Sequence, residues 1–474
     1  MLSRAYARHA ASLAFTVVAL PAASLLGQTT DRALQDELDL QANANFVQGS
    51  GARAFGMGGA FLARADDATA ASWNPAGLSY LRAPEVSLVH VGADVRSRRE
   101  PIRDGIERDH RESGYPDFAA FTVPWETKSL LGAVQISYQR VLPFQSERTI
   151  DLGPVSGSEL PRSEVRTVQT RGGFDIFALG AGVRISRRLR LGFTVNRWLN
   201  GYEQTRSRPE RGVPSRHETR LDLSAWNVHL GAIYSPAENL NLGLVFKTSV
   251  DAKAFLHRVR FDQFDEGENT RFNIYSREDV ELELPGALGF GISWRPRNNL
   301  TVSADYTRTD WSSGRIRNFF TLARAFPFGH PLDQPQPSPP ASGDFCGAYG
   351  PNDPPPPPDV PPCPPVIPYP TLGTKQSDTD QLRAGAEYVV IGGRLKWPVR
   401  VGLFRDSQFF PSFAGGSPSF NGFTLGTGVI LNQVLFDLAY VYESGEYTDS
   451  GNVRNEVKFQ KFYASVIVRL PRRR

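Results

Sequence analysis

The chain has 474 residues, 22% of them charged, with 53 Lys and Arg against 49 Asp and Glu for a net charge of +4; its pI is about 9.0 and its mean hydropathy −0.32. No run is apolar for the roughly 20 residues that a membrane helix needs, which excludes a helical membrane protein but not a transmembrane barrel, whose strands need only about 9 to 11 alternating residues. The basic balance does not point to nucleic acid, because Arg and acidic residues interleave, as in RSRREPIRDGIERDHRE from Arg96 to Glu112, which reads as a solvated loop.

The chain opens MLSRAYARHAASLAFTVVALPAASLLGQ, with Arg4 and Arg8 before an apolar run from Ala10 to Leu20 and small residues from Ala22 to Gly27. This is the pattern of a secretory signal peptide, residues 1–27, and places the mature protein outside the cytoplasm. A second segment, 28–82, includes ANANFVQGSGARAFGMGGAFLARADDATAASWNPAGLSYL from Ala42 to Leu81, which fits neither a strand nor a long helix. Gly49, Gly51, Gly56, Gly58 and Gly59 permit closely packed backbone. Asp66 and Asp67 are placed to start a short Ala-rich helix from Ala68 to Trp73, and Asn74-Pro75-Ala76-Gly77 forces a turn.

From Pro84 onward, apolar and aromatic residues recur with period two, the signal of strands. In TVSADYT, Val302, Ala304 and Tyr306 share one face while Thr301, Ser303, Asp305 and Thr307 share the other. In FYASVIVRL, Phe462, Ala464, Val466, Val468 and Leu470 form one face, and the second face, Tyr463, Ser465, Ile467 and Arg469, is only partly polar. Connections alternate between short ones (PWETKS, SRR, SPAEN, PRNN, IGGRLKWP, LNQ) and long polar stretches near 96–115, 143–168, 206–216, 258–271, 313–375, 408–418 and 447–455. The expected fold is therefore all-β, a transmembrane antiparallel barrel of about 14 strands over residues 83–474, with short turns at one rim and long loops at the other.

The longest loop, 327–374, carries poly-Pro, which cannot donate to a ladder and favours an extended excursion. Cys346 and Cys363, the only cysteines, both lie in it, so a local disulfide is expected rather than a metal site. Catalysis has nothing to rest on: His90, His110, His217, His229, His257 and His330 are scattered, and neither G-x-S-x-G nor H-E-x-x-H occurs. Asp378-Thr379-Asp380 is too little for calcium, and Gly49-Ser50-Gly51-Ala52-Arg53-Ala54 has no βαβ unit around it to make it a dinucleotide site. No enzyme activity, cofactor or metal is expected.

The runs GARAFGMGGAF from Gly51 and ADDATAASWNPAGL from Ala65 closely resemble the N-terminal signature of the FadL/TodX family of hydrophobic-compound transporters, shared with PorV-type barrels. ELPGALGFGISWRP, ADYTRTDWS, RAGAEY and PVRVGLFRD are similar to the family's barrel segments. The resemblance implies a 14-stranded Gram-negative outer-membrane barrel closed by an N-terminal hatch. Asn74, Pro75 and Ala76 would be hatch residues, Gly56, Gly58 and Gly59 its flexible backbone, and Asp66 and Asp67 part of the gating element. It further implies a hydrophobic small-molecule ligand such as a fatty acid, lateral release into the bilayer, and a monomer in contact with outer-membrane lipid, lipopolysaccharide and the assembly machinery. The PorV-type relatives imply an alternative, a scaffold for protein secretion or attachment. The chain ends LPRRR, where family barrels commonly end on an aromatic residue.

Overall fold

A computed structural model of the chain describes residues 49–100, 107–143, 146–154, 163–210, 213–263, 271–313, 315–317, 324–326, 378–392, 395–408, 417–448 and 454–471. The signal segment and the whole Pro-rich loop 327–374, with Cys346 and Cys363, lie outside the described residues. The strands are β1 (Glu85–Glu100), β2 (Glu107–Glu126), β3 (Leu131–Pro143), β4 (Ser146–Pro154), β5 (Ser163–Arg184), β6 (Leu189–Leu199), β7 (Gly201–Glu210), β8 (Val213–Ala237), β9 (Leu240–Lys247) and β10 (Val250–Gln263). They continue as β11 (Arg271–Leu284), β12 (Ala287–Arg297), β13 (Leu300–Thr309), β14 (Arg315–Arg317), β15 (Arg324–Phe326), β16 (Thr379–Gly392), β17 (Leu395–Ser407), β18 (Ser419–Leu431), β19 (Val434–Thr448) and β20 (Arg454–Arg469).

Fourteen of these strands close an antiparallel ring in the order β1-β2-β3-β5-β6-β8-β9-β12-β13-β16-β17-β18-β19-β20. The last bonds the first in unbroken register, from Glu85↔Arg469 to Glu100↔Arg454. Closure pairs the strands with one another around the ring, which a bilayer demands. Alternation sets the faces. Val302 and Tyr306 are exposed on the outer wall while Thr301, Ser303, Asp305 and Thr307 are buried inside, and Leu88, Ile136, Leu179, Leu288, Leu403 and Phe462 extend the same outer apolar belt. The partly apolar second face of the last strand also has its reason. Tyr463 and Ile467 point inward, where Phe55 stacks on Tyr463 with ring centroids 4.2 Å apart and Ala68 packs with Ile467.

The short connections fall where the sequence puts them, at one rim. The long polar stretches differ from the loops expected: within them 96–100, 107–115, 206–210, 213–216 and 258–263 are strand. β4, β7, β10 and β11 carry the ladder of β3, β6, β9 and β12 outward as a taller wall, paired β4–β5–β7–β8–β10–β11. Beyond the lipid both faces of a strand meet water, so apolar alternation vanishes although the backbone still pairs. Opposite charges placed across from one another, Glu203↔Arg220, support those extensions.

Candidate functional site: an inner segment seated on the lumen wall

Residues 49–84 precede the first strand and lie inside the ring, almost all of them buried. Two short helices, α1 (Ala52–Gly56) and α2 (Ala70–Trp73), are followed by a 3-10 helix from Pro75 to Tyr80. Helix α1 rests on β17–β20, and the 3-10 helix on β3, β5, β6 and β8, so the segment reaches both sides of the lumen. Its centre is aromatic: Trp73 meets Phe55 and Phe61 edge-on at 5.7 and 6.1 Å.

The helix expected from Ala68 is shorter, beginning at Ala70. The reason is local. Oδ1 of Asp67 accepts from Thr69 N at 2.9 Å and Thr69 Oγ1 at 2.6 Å, so Asp67 closes its own turn before the helix can start. The Asn-Pro-Ala turn is the cap of the 3-10 helix: Oδ1 of Asn74 accepts from Ala76 N at 3.1 Å, with Pro75 at the first position. Nδ2 of Asn74 donates to Leu62 O at 2.8 Å and to Ala232 O of β8 at 3.1 Å, joining two parts of the segment to the wall.

The segment's backbone sits on bare wall. Gly58 and Gly59 adopt φ of 71° and 77°, the left-handed region that glycine tolerates. A Cβ on Gly402 of β17 would overlap Gly58 N, one on Gly385 of β16 would overlap Met57 O, and one on Gly192 of β6 would overlap the Pro75 carbonyl. Thr424 of β18 receives Gly58 N at 2.9 Å and donates to Gly56 O at 3.0 Å. Asp305 of β13 accepts from Phe61 N and Leu62 N at 2.6 and 2.7 Å, and Arg383 of β16 donates to Gly58 O at 2.9 Å while pairing with Asp406.

A buried charge network ties the segment to β16, β17 and β19. Glu387 receives Arg64 at 2.5 Å, Arg400 at 2.7 Å and Arg53 at 3.4 Å. Arg400 also reaches Asp437 at 2.7 Å, and Arg53 reaches Asp66 at 2.7 Å and Asp67 at 3.3 Å. Burial works against the Arg53 charge, but Asp66, Glu387 and Asp67 outweigh it and hold its pKa well above the ordinary guanidinium value. At Arg64 burial prevails and the pKa is lowered.

The sequence singled out Gly56, Gly58, Gly59, Asp66, Asp67, Asn74, Pro75 and Ala76, and the structure gathers all of them in this segment. It did not single out the wall partners Asp305, Arg383, Glu387, Arg400 and Asp437. Each is one inward residue in an alternating strand, and nothing local marks it. Among the described residues no three His, Cys, Asp or Glu side chains converge as metal ligands.

Two features lie toward the long connections, about four residues, or about 14 Å, along the strands from this seat. The first is a seam. Pairing of β2 with β3 runs from Glu126↔Leu131 only to Phe118↔Gln139. Beyond it β2 bonds β1, and the end of β3 bonds β5. Asp117 stands at the parting, buried, in contact with the Ser50 hydroxyl of the inner segment. Trp73 holds Ser50 there, its Nε1 donating to Ser50 O at 2.7 Å.

The second is the lining. On the seam side the inward residues are apolar: Leu142, Phe174, Ile176, Trp198, Leu223 and Ala225, all buried. On the opposite side polar residues, Thr309, Thr379, Gln381, Gln408 and Glu443, stand among the apolar Phe404, Phe420, Tyr447, Val457 and Phe459, all of them buried. A 14-stranded ring is wider than the 8-stranded one that its own side chains fill, so these faces border an interior.

The BamG family model matches residues 52–326, more than half of the chain. Among solved structures, the P. putida toluene transporter TodX is 12% identical over 90% of this chain and 100% of that one, with a TM-score of 0.60. A Pseudomonas aeruginosa FadL homologue is 13% identical over 89% and 98%, with a TM-score of 0.57. The monoaromatic hydrocarbon channel CymD is 13% identical over 90% and 99%, with a TM-score of 0.51. At these identities the likeness is one of fold. No curated protein matches.

Proposed function

The chain belongs to the BamG family, and on its closed ring and the apolar lining of its interior we propose that it carries hydrophobic compounds across an outer membrane. The observation that carries this reading is the apolar lining, from Leu223 through Trp198 and Ile176 to Leu142, which ends at the β2–β3 seam. A water-filled pore is a poor route for a lipophile, since each methylene returned to water costs about 0.8 kcal/mol. An apolar track ending where the β2–β3 ladder breaks off avoids that cost by delivering the ligand sideways into the bilayer. The inner segment acts as the hatch, with Asn74, Pro75 and Ala76 fixing it to β6 and β8, Gly56, Gly58 and Gly59 letting it lie against β17 and β18, and Asp66 and Asp67 orienting Arg53. The protein works as a monomer in outer-membrane lipid and lipopolysaccharide. Long-chain fatty acids or similar lipophiles are its ligands.

The test is uptake of a fluorescent lipophile by vesicles containing the purified barrel. Leu223→Asp places a charge on the track and is expected to reduce uptake at least tenfold, given a cost of several kcal/mol for a charge unpaired in an apolar setting. Uptake by the unaltered barrel equal to that of protein-free vesicles would sink the reading.

A second reading is favoured by the matched family's name, which points to the outer-membrane assembly machinery. In it the barrel, like PorV-type proteins, serves as an attachment scaffold, and the tall wall of β4, β7, β10 and β11 is the surface offered to a protein. Stoichiometric co-purification of a protein partner with no uptake activity would favour it.

A further inference from the structure

The β5–β6 hairpin turns at the rim of short connections, the side that outer-membrane barrels present to the periplasm. Its last inward residues are Arg184 and Arg190, directly opposite one another in the ladder. Both face the lumen: Arg184 continues the row of Gly180 and Gly182, which lie against the inner segment, and Arg190 the row of Gly192 and Thr194, while Leu191 and Phe193 take the outer wall. A third guanidinium, Arg82, follows the 3-10 helix of the inner segment and, like Arg184, lies near enough to Arg190 to repel it. Arg190 is 8% exposed, and its Nε is buried without a hydrogen-bond partner. Its guanidinium lies over the Tyr80 ring at 3.9 Å. Among the described residues no carboxylate pairs with Arg82, Arg184 or Arg190.

Like charges directly across a ladder oppose its pairing, and a guanidinium withdrawn from water without an acceptor is costly. The Tyr80 ring offsets part of that cost at Arg190, but it offers no acceptor to Arg184 or Arg82. What satisfies converging guanidinium groups is an anion with several oxygens. A carboxylate has two and fills one arginine fork, whereas a phosphate has enough to serve two. We infer that Arg82, Arg184 and Arg190 form a phosphate-binding site at the periplasmic mouth of the lumen, with Arg184 and Arg190 as its paired forks. Arg187 and Arg188, exposed at the tip of the same hairpin, add positive potential that draws an anion toward it. The phosphate is that of a phospholipid headgroup in the adjoining leaflet or a free phosphate of the periplasm.

The experiment uses the full-length barrel in mild detergent and Tris buffer. Inorganic phosphate is titrated in by calorimetry, and phosphatidylglycerol or diacylglycerol, which lacks the phosphate, is added separately and its retention followed by native mass spectrometry. Arg184→Gln, which leaves the Tyr80 contact in place, and Arg190→Gln are each expected to weaken the phosphate probe that binds by about tenfold or more, the range of a hydrogen bond to a charged group. Arg297→Gln removes an equal charge from the β12–β13 turn of the same rim and is expected to leave binding unchanged. Heat-modifiable migration in gels confirms that each variant is a folded barrel. Binding of inorganic phosphate assigns the site to free phosphate, and preferential retention of phosphatidylglycerol without it assigns the site to a lipid headgroup; either result supports the inference. If inorganic phosphate does not bind and phosphatidylglycerol is held no better than diacylglycerol, or if Arg184→Gln binds as Arg297→Gln does, the inference is overturned.

Discussion

Glu387→Ala is expected to destabilise the seated inner segment by about 3 to 5 kcal/mol, the cost of removing one partner from a buried ion pair. The effect belongs at the upper end because one carboxylate serves three guanidinium groups, Arg53, Arg64 and Arg400. Asp437 still holds Arg400 and Asp66 still holds Arg53, so the variant is expected to keep its barrel and lose the grip of the segment on β16 and β17. Limited proteolysis reads this directly: cleavage within residues 49–84 should accelerate while the strands remain protected. Glu387→Gln, which retains hydrogen-bond capacity, is expected to fall between. A loss under about 1 kcal/mol with unchanged protection would show that the network is ornamental to the seat.

The second large effect is steric. Gly402→Leu puts a side chain where Gly58 N now lies, and a small local shift is blocked because Gly58 is held by Thr424 and Arg383. Overpacking costs about 1 to 3 kcal/mol when neighbours can relax; here the cheaper response is for the segment to leave the wall. The expected result is a folded barrel that passes small polar solutes, seen as stepwise conductance in planar bilayers where the unaltered protein gives little. A folded Gly402→Leu barrel with unchanged conductance would mean that the segment does not close the lumen.

How much of this was legible in the sequence follows from where each signal lives. Strands at membrane depth announce themselves because lipid on one side and lumen on the other enforce alternation, as in Val302, Ala304 and Tyr306 against Thr301, Ser303 and Asp305. The strand extensions beyond the membrane did not, since water on both faces removes the pattern, and mixed charge reads as loop. The inner segment was legible through its glycines and its Asn-Pro-Ala turn, which are local devices. Its wall partners were not, because Glu387 lies 323 residues from Arg64 and Asp305 lies 244 residues from Phe61, and only closure of the ring brings them together. The seam at Phe118↔Gln139 was equally hidden: it is a property of register, and no residue type encodes it alone.

The central claim is that ligand leaves the lumen through the β2–β3 seam, which the inner segment guards with Ser50 at Asp117. The most direct test joins Ser50→Cys to Asp117→Cys with a short reducible thiol reagent, in a background where Cys346 and Cys363 are Ser, and follows uptake of a fluorescent lipophile into vesicles. The account predicts that uptake falls to the protein-free level when the seam is tied and recovers on reduction. Full uptake through a barrel shown by mass spectrometry to be cross-linked would contradict it.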